Sequence, residues 1–266
     1  LTDGDFNVGV TQDERLEDFV ARKRESGIYL SVMGFGRGNY NDRMMQTIAQ
    51  AGNGTAAYID SRREARRMLV EESFSSLFPI ANDVKIQVEF NPARVAEYRL
   101  IGYETRMLER ADFNNDEVDA GEIGSGHSVT AIYEIAAPGS EGVLTDPLRY
   151  GSGPQAGPET DGEYAFLRLR YKPPGEDESL LMERPITDLD AVSAFDAAPQ
   201  EVRFSVSVAG FAQALRGDPY LSDDYGWDAI SEDARAALGP DEFGYRAEFL
   251  DIVERAAQVE QGSPKP

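Results

Sequence analysis

Short apolar runs alternate with stretches of helical spacing along residues 1–80. The run 28–36 is mostly apolar and ends in glycines, which is typical of a buried parallel strand. Before it, apolar side chains recur three or four residues apart, as Leu16, Phe19 and Val20 do. Strands that alternate with helices are joined by parallel crossovers, so residues 1–80 are predicted to form a partial doubly wound α/β sheet.

The hydrophobic period changes from about 3.6 residues to 2 near Pro79. In 84–90 and again in 163–172, apolar side chains alternate with polar ones. Such alternation is typical of antiparallel strands that have one face on a core. Residues 81–190 are therefore predicted to form an antiparallel β region, and the Gly- and Pro-rich stretch 139–162 is predicted to be a loop.

Helical spacing returns in residues 191–260. The stretch 199–216 begins with strand-like alternation, but Phe204, Val208 and Phe211 share one helical face and the stretch is too long for a strand. Two more helices are predicted over 224–238 and 241–259, and 261–266 is predicted to be a disordered tail. The fold class expected for the whole chain is α/β, followed by an antiparallel β region and C-terminal helices.

Composition excludes several functions. The 266 residues include 48 acidic and 26 basic side chains, which gives a net charge of -22. Phosphate backbones and anionic lipid surfaces need a positive face, so neither nucleic acid nor an acidic membrane is an expected partner, whereas cations and basic partners are compatible with this charge. The chain has no Cys and no apolar run of about 18 residues, so it holds neither a thiolate site nor a membrane span.

One acidic cluster has the residue types of a calcium loop. Asp112, Asn114 and Asp116 stand at the first, third and fifth positions, which brings oxygen ligands to one side of a turn. The glycine that such a loop needs at its sixth position is replaced by Glu117. The cluster is either a Ca²⁺ site or a polar hairpin loop that is held by Asx turns.

A second acidic turn stands at the start of the sequence. Asp3, Gly4 and Asp5 follow residues that read as the end of a buried strand. Gly4 would let the backbone turn tightly so that Asp3 faces a hard cation, and Asp5 would support it from a second shell. The alternative is an ordinary Asp-Gly turn. A strand that opens on its last residue leads us to expect that upstream sequence is missing.

Motifs along nearly the whole chain resemble a bacterial branch of von Willebrand factor type A (VWA) proteins. Residues 1–7, 29–36 and 41–60 resemble the second half of the VWA domain, and residues beyond 90 resemble the C-terminal domain of that branch. The segments that carry this second likeness are 91–95, 98–104, 112–116, 121–124, 127–131 and 243–249. The resemblance implies that the N-terminal half of the VWA domain is absent here.

The resemblance also implies a function. VWA domains often bind Mg²⁺ or Ca²⁺ at a metal-ion-dependent adhesion site, which needs a D-x-S-x-S loop, a Thr loop and an Asp loop. Asp3 matches the third loop, and this chain contains no D-x-S-x-S. We therefore expect a non-enzymatic adhesion or envelope-assembly module that binds a protein partner, is cation-dependent only in the intact parent, and works at the cell envelope. The alternatives are a hydrolase that uses clustered carboxylates and a metal-free structural scaffold.

Overall fold

The computed structural model describes residues 13–26, 28–35, 41–72, 78–102, 107–118, 120–146, 162–222 and 224–262. Their contacts cluster into two units. The first unit comprises the described residues up to Gln87, together with Leu108–Val129 and Arg168–Glu183. The second comprises Val88–Met107, Thr130–Leu167 and the described residues from Arg184 onward.

The first unit begins with alternating helices and short parallel strands. Strand β1 pairs in parallel with β2, with Val32 opposite Ala56 and Phe35 opposite Ile59. One hydrophobic cluster is formed by buried residues of two helices and one strand, which are Val20, Val32, Met45, Ile48 and Ala49. The elements are α1 (Asp13–Glu25), β1 (Val32–Phe35), α2 (Asp42–Ala51), β2 (Ala56–Ile59) and α3 (Arg62–Arg66).

Side-chain caps fix where two of these helices begin. Asn41 Oδ1 accepts a hydrogen bond of 3.2 Å from the backbone N–H of Met44, and Ser61 Oγ accepts one of 3.1 Å from Glu64. Each bond satisfies a donor that has no partner inside its helix. Helix α3 continues into a π-helical turn, Arg67–Glu71. Residues 73–77 lie outside the described residues.

Four strands form one sheet in the order β5-β3-β7-β8. Strands β3 and β5 are antiparallel, with Val84 opposite Gly121. Strands β7 and β8 are also antiparallel, because the connection 173–179 is too short for a parallel crossover. The bounds are β3 (Pro79–Phe90), β4 (Glu97–Ile101), β5 (Gly121–Gly124), β6 (Ile132–Ala136), β7 (Glu163–Lys172) and β8 (Leu180–Thr187).

Strands β4 and β6 form a separate antiparallel ribbon in the second unit. Arg99 lies opposite Glu134, and Ile101 lies opposite Ile132, so these four side chains share one face. Tyr98, Leu100, Tyr133 and Ile135 share the other face, where Phe90 stacks on Tyr98 with ring centroids 4.4 Å apart. The ribbon therefore has one face that is rich in aromatic residues and one face that carries both isoleucines and the Arg99–Glu134 ion pair.

Three helices complete the second unit: α4 (Gln200–Arg216), α5 (Trp227–Ala236) and α6 (Tyr245–Gly262). Helix α4 ends at Gly217, whose φ of 62° is the left-handed conformation that favours glycine at a helix C-terminus. The three helices pack through aromatic rings, with the Phe211 centroid 5.3 Å from Phe249 and 5.8 Å from Trp227. None of the described helices combines the length and the apolar composition needed to cross a membrane.

The predicted fold class is confirmed: an α/β part is followed by antiparallel strands and C-terminal helices. Residues 200–216 form the predicted helix despite their strand-like start. Helix α6 extends through Gly262, so it takes in the first two residues of the predicted tail, and 263–266 lie outside the described residues. The domain boundaries predicted at 80, 190 and 260 stay predictions.

Candidate functional site

The predicted calcium loop folds as a 3-10 turn, Arg110–Asn114, and its polar side chains reach strand β7. The Arg170 guanidinium donates to Asn114 Oδ1 at 3.1 Å and to Asp116 Oδ1 at 3.2 Å. Ser179 Oγ donates to the same Asp116 oxygen at 2.5 Å, and this bond lowers the pKa of Asp116. Arg170 therefore bonds two of the three predicted calcium ligands, Asn114 and Asp116.

Two lysines hold the backbone of the same turn. Lys85 is buried, with 2% of its surface exposed, and its Nζ donates to the carbonyl oxygens of Asp112 and Asn115. Burial lowers the pKa of Lys85. Lys172 Nζ donates to Asp116 O at 2.8 Å and to Asp83 Oδ2 at 2.7 Å, and the latter bond raises the pKa of Lys172. Three basic side chains therefore supply the positive charge that a bound cation would supply.

Hydrogen bonds from Arg170, Lys85 and Lys172 to oxygens of this turn favour the polar-loop alternative over a calcium ion. Within the part of the chain that the structure describes, no group of three or more His, Asp or Glu side chains is placed to hold a metal. Asp3, Gly4 and Asp5 lie outside that part. Metal binding at either turn stays a prediction.

The second unit contains a groove of about 430 Å³ between the β4–β6 ribbon and helix α4. Its lining is mostly apolar. The ribbon side contributes Ile101, Gly102, Thr130 and Ile132, and the helix side contributes Phe204, Ser205, Val208, Ala209, Ala212, Gln213 and Arg216.

Helix α4 makes room for the groove through its small side chains. Ser205, Ala209 and Ala212 stand at helical spacing on the face toward the ribbon, so the backbone leaves space between larger neighbours. Phe204 forms one wall, and its ring lies 5.4 Å from the ring of Phe249 and 4.7 Å from the Arg246 guanidinium. The wall is therefore fixed from behind by helix α6.

The opposite face of α4 anchors the helix to its neighbours. Ser207 is fully buried, and its Oγ donates to Arg203 O at 3.1 Å. Gly210 lies so close to the Tyr225 ring that an added Cβ would stand 2.6 Å from a ring carbon. Ile230 of α5, which is also fully buried, is a further neighbour of Gly210. The groove is therefore built on a helix whose other side is closely packed.

A network of ionic hydrogen bonds ties the ribbon to α4 beside the groove. Arg99 Nη1 donates to Asp218 Oδ1 at 2.8 Å, and Arg99 Nε donates to Glu134 Oε2 at 3.0 Å. Gln213, which is 3% exposed, donates to Glu134 Oε1 at 3.3 Å. Arg216 reaches Asp218 Oδ2 at 3.1 Å.

Asp218 is the centre of this network. Its side chain is only 6% exposed and accepts bonds from Arg99, Arg216 and the backbone N–H of Tyr220. The hydrogen bond from Arg99 lowers the pKa of Asp218 to about 2, and the other donors act in the same direction. The carboxylate therefore stays ionised at neutral pH and holds the two arginines.

These carboxylates do not resemble the acid of a hydrolase. A catalytic acid needs a raised pKa so that it holds a proton near neutral pH. The pKa values of Asp116 and Asp218 are lowered, and both side chains bond arginine. The groove instead combines an apolar lining with polar groups whose hydrogen bonds are made, which suits the burial of apolar ligand groups.

Sequence reasoning did not find this site. It placed Phe204, Val208 and Phe211 on one helical face without indicating a groove, and Phe204 and Val208 line that groove. The available signal is the set of small residues Ser205, Ala209 and Ala212 on one helical face, because small side chains leave space between a helix and the element that it faces. Nothing local to 97–101 indicates that Arg99 bonds a residue more than a hundred positions later.

A family model described as "Uncharacterized protein YfbK, C-terminal" matches residues 75–259. The match covers more than two thirds of the chain and includes the groove and the Arg99 network. The chain belongs to the YfbK C-terminal family. The expected resemblance of the later part of the chain to a bacterial C-terminal domain is thereby confirmed, while the VWA assignment of residues 1–80 and the missing half of that domain stay predictions.

A relative in this family is the uncharacterized protein YfbK of Escherichia coli (strain K12), which is 43% identical over 259 residues. The match takes in 97% of this chain and 44% of that protein, so the chain spans less than half the length of this relative. A solved von Willebrand factor type A structure from Catenulispora acidiphila is 15% identical, with a TM-score of 0.35 over 95% of this chain and 55% of that one. A likeness of that size supports no statement about fold or function.

Proposed function

We propose that this YfbK-family chain is a non-enzymatic protein-binding module whose binding site is the groove between the β4–β6 ribbon and helix α4. The observation that carries the proposal is the apolar lining of a groove of about 430 Å³ on closely packed elements. Grooves of several hundred Å³ with mostly apolar walls are the usual form of ligand sites. Apolar side chains of a partner that enter the groove would be buried away from water.

The shape favours a segment of a protein partner. The helix side of the groove is a stripe that runs from Phe204 through Val208 to Arg216, about three turns of α4. A partner helix that lays apolar side chains along such a stripe is a common mode of peptide recognition. The polar network at Arg99 would then lie at the edge of the interface, where water-exposed hydrogen bonds are usual.

A selection experiment tests the binding site. A phage-displayed library of random peptides, each about fifteen residues long so that it spans the helical stripe, is panned on the whole chain and counter-selected on Val208→Asp. Val208 lines the groove and is 41% exposed, so the carboxylate should spoil the apolar lining without unfolding the helix. The matched control is Ile252→Asp, which places the same charge on α6 at a 48% exposed residue outside the groove.

We expect peptides that bind the wild type and the Ile252→Asp variant equally and the Val208→Asp variant at least about tenfold more weakly. All three proteins should melt at similar temperatures. A selection that yields no binders, or only binders that tolerate Val208→Asp, contradicts the groove as the binding site.

The cation-dependent part of the function is proposed on the resemblance alone. In a longer parent, Asp3 would be the third-loop ligand of a metal-ion-dependent adhesion site at the cell envelope, and a partner carboxylate would complete the shell of Mg²⁺ or Ca²⁺. Calorimetry with both ions on the full-length Escherichia coli relative tests this part. Absence of saturable binding by either ion removes the adhesion mechanism and leaves the groove unaffected.

A further inference from the structure

The part of the second unit that begins at helix α4 carries a large net negative charge. Residues 200–262, which comprise α4, α5, α6 and their connections, hold thirteen acidic side chains and five basic ones, although α4 itself holds one acidic and two basic side chains; the net charge of the whole chain is -22. Such a field attracts basic ligands and repels acidic ones before any contact forms. An occupant of the groove is therefore selected for positive charge as well as for apolar side chains.

The arginines at and beside the groove do not cancel the negative potential of these surroundings, because carboxylates neutralise their charge. Arg216 lines the groove, and its guanidinium bonds the Asp218 carboxylate at 3.1 Å. Arg99 is likewise balanced by Glu134 and Asp218. The arginines beside the groove thus bring their own counter-charges with them, and the acidic surroundings decide the sign of the potential.

Two local features would receive a basic side chain. Helix α4 ends at Gly217 beside the groove residue Arg216, and the carbonyl end of a helix carries partial negative charge. The Glu134 side chain next to Gln213 is 43% exposed. A lysine or arginine of a ligand can approach either one from solvent while apolar groups fill the groove.

We infer that the occupant of the groove is a basic amphipathic helix of a protein partner, with apolar side chains against Val208, Ala209 and Ala212 and with Lys or Arg toward the acidic surroundings. This inference rests on the proposed function, since it names the chemistry of the partner for the same groove. It excludes acidic peptides and nucleic acid as occupants, because the chain repels both.

The selected peptides themselves provide the first test. Among peptides that depend on Val208, Lys and Arg should outnumber Asp and Glu. The best of them is then synthesised with a fluorescent label, together with a partner peptide in which every Lys and Arg is replaced by Glu. Fluorescence anisotropy with the whole chain should show the acidic peptide binding at least about tenfold more weakly at low salt.

Salt and a charge variant provide the second test. Raising NaCl from about 50 mM to 500 mM should weaken binding of the basic peptide several-fold, because the long-range attraction is screened. The triple variant Asp228→Asn, Glu232→Gln, Glu242→Gln removes three exposed negative charges from the second unit. It should also weaken binding of the basic peptide. Circular dichroism confirms that the variant keeps its helices.

The outcomes separate the two claims. Val208-dependent peptides that are acidic or uncharged, or whose binding ignores both salt and the triple variant, overturn the inference about charge and leave the groove as a binding site. Peptides that do not depend on Val208 overturn the proposed function instead. Basic, Val208-dependent and salt-sensitive binding supports both.

Discussion

Arg99 on strand β4 and Asp218 just beyond helix α4 are joined by a hydrogen bond of 2.8 Å between Nη1 and Oδ1. The two residues are 119 positions apart in the sequence. This bond fastens the ribbon side of the groove to its helix side, because Arg99 also holds Glu134 across the ribbon. The width of the groove therefore depends on one nearly buried carboxylate.

Asp218→Asn should destabilise the chain by about 1–3 kcal/mol, because it replaces charge-assisted bonds to two arginines by weaker neutral ones. Urea unfolding followed by circular dichroism measures the change. Asp251→Asn removes an exposed carboxylate of α6 and should cost less than about 0.5 kcal/mol. Equal stability of the two variants would show that the network does not hold the ribbon.

The same carboxylate predicts a dependence of stability on acid. Its pKa falls from an ordinary 3.8 to about 2 on folding, so its contribution is full above the unfolded pKa and is lost as pH falls from about 4 toward 2. The wild type should lose more stability over this range than Asp218→Asn does. Thermal melts at pH 5, 4, 3 and 2.5 compare them, and parallel curves for the two proteins would contradict the prediction.

Lys85→Met should loosen the turn that follows Arg110. The two backbone carbonyls that accept from Lys85 Nζ would lose their donor, while methionine keeps the packing of the buried stem. Amide hydrogen exchange by mass spectrometry should be about tenfold faster over 112–118. The exposed Lys23→Met on α1 is the control and should leave the exchange of that segment unchanged.

Gly54→Ala should disrupt the join between α2 and strand β2. A Cβ at this position would stand 2.0 Å from the backbone oxygen of Leu30, and backbone cannot move aside cheaply. Overpacking typically costs about 1–3 kcal/mol, and a clash with backbone is expected at the upper end of that range. At Gly142 an added Cβ would stand 3.6 Å from its nearest neighbour, which is an ordinary van der Waals contact. The melting temperature of Gly142→Ala should therefore be close to that of the wild type. A Gly54→Ala protein with an unchanged melting temperature refutes this account of the contact.

The turn at 112–116 should not bind calcium at neutral pH, because Arg170 and Lys172 already bond the oxygens of Asn114 and Asp116. Calorimetry with Ca²⁺ up to about 1 mM, a weak-site concentration, should give only heat of dilution. Saturable heat that disappears in Asp116→Asn would restore the calcium site and show that Arg170 can be displaced.

Local signals predicted much of the fold. The Asn41 and Ser61 caps lie within three residues of the groups they satisfy, and Asn and Ser are residue types that favour the start of a helix. The helix at 200–216 follows from its length and from the spacing of Phe204, Val208 and Phe211. Such features are set by neighbours a few positions away, so one sequence is enough to find them.

The site could not be predicted in the same way, because it depends on residues far apart in the chain. The spacing of Asp112, Asn114 and Asp116 indicates a possible set of oxygen ligands. It does not indicate that Arg170, on strand β7, bonds Asn114 and Asp116. The groove is a space between Ile101 and Ile132 on the ribbon and the small residues of α4. Neither arrangement leaves a local pattern.

The most direct test of the groove is the affinity of the best selected basic peptide for three proteins, measured by fluorescence anisotropy at low salt. The account predicts equal dissociation constants for the wild type and Ile252→Asp, and one at least about tenfold larger for Val208→Asp with an unchanged melting temperature. The same dissociation constant for Val208→Asp as for the wild type would contradict it.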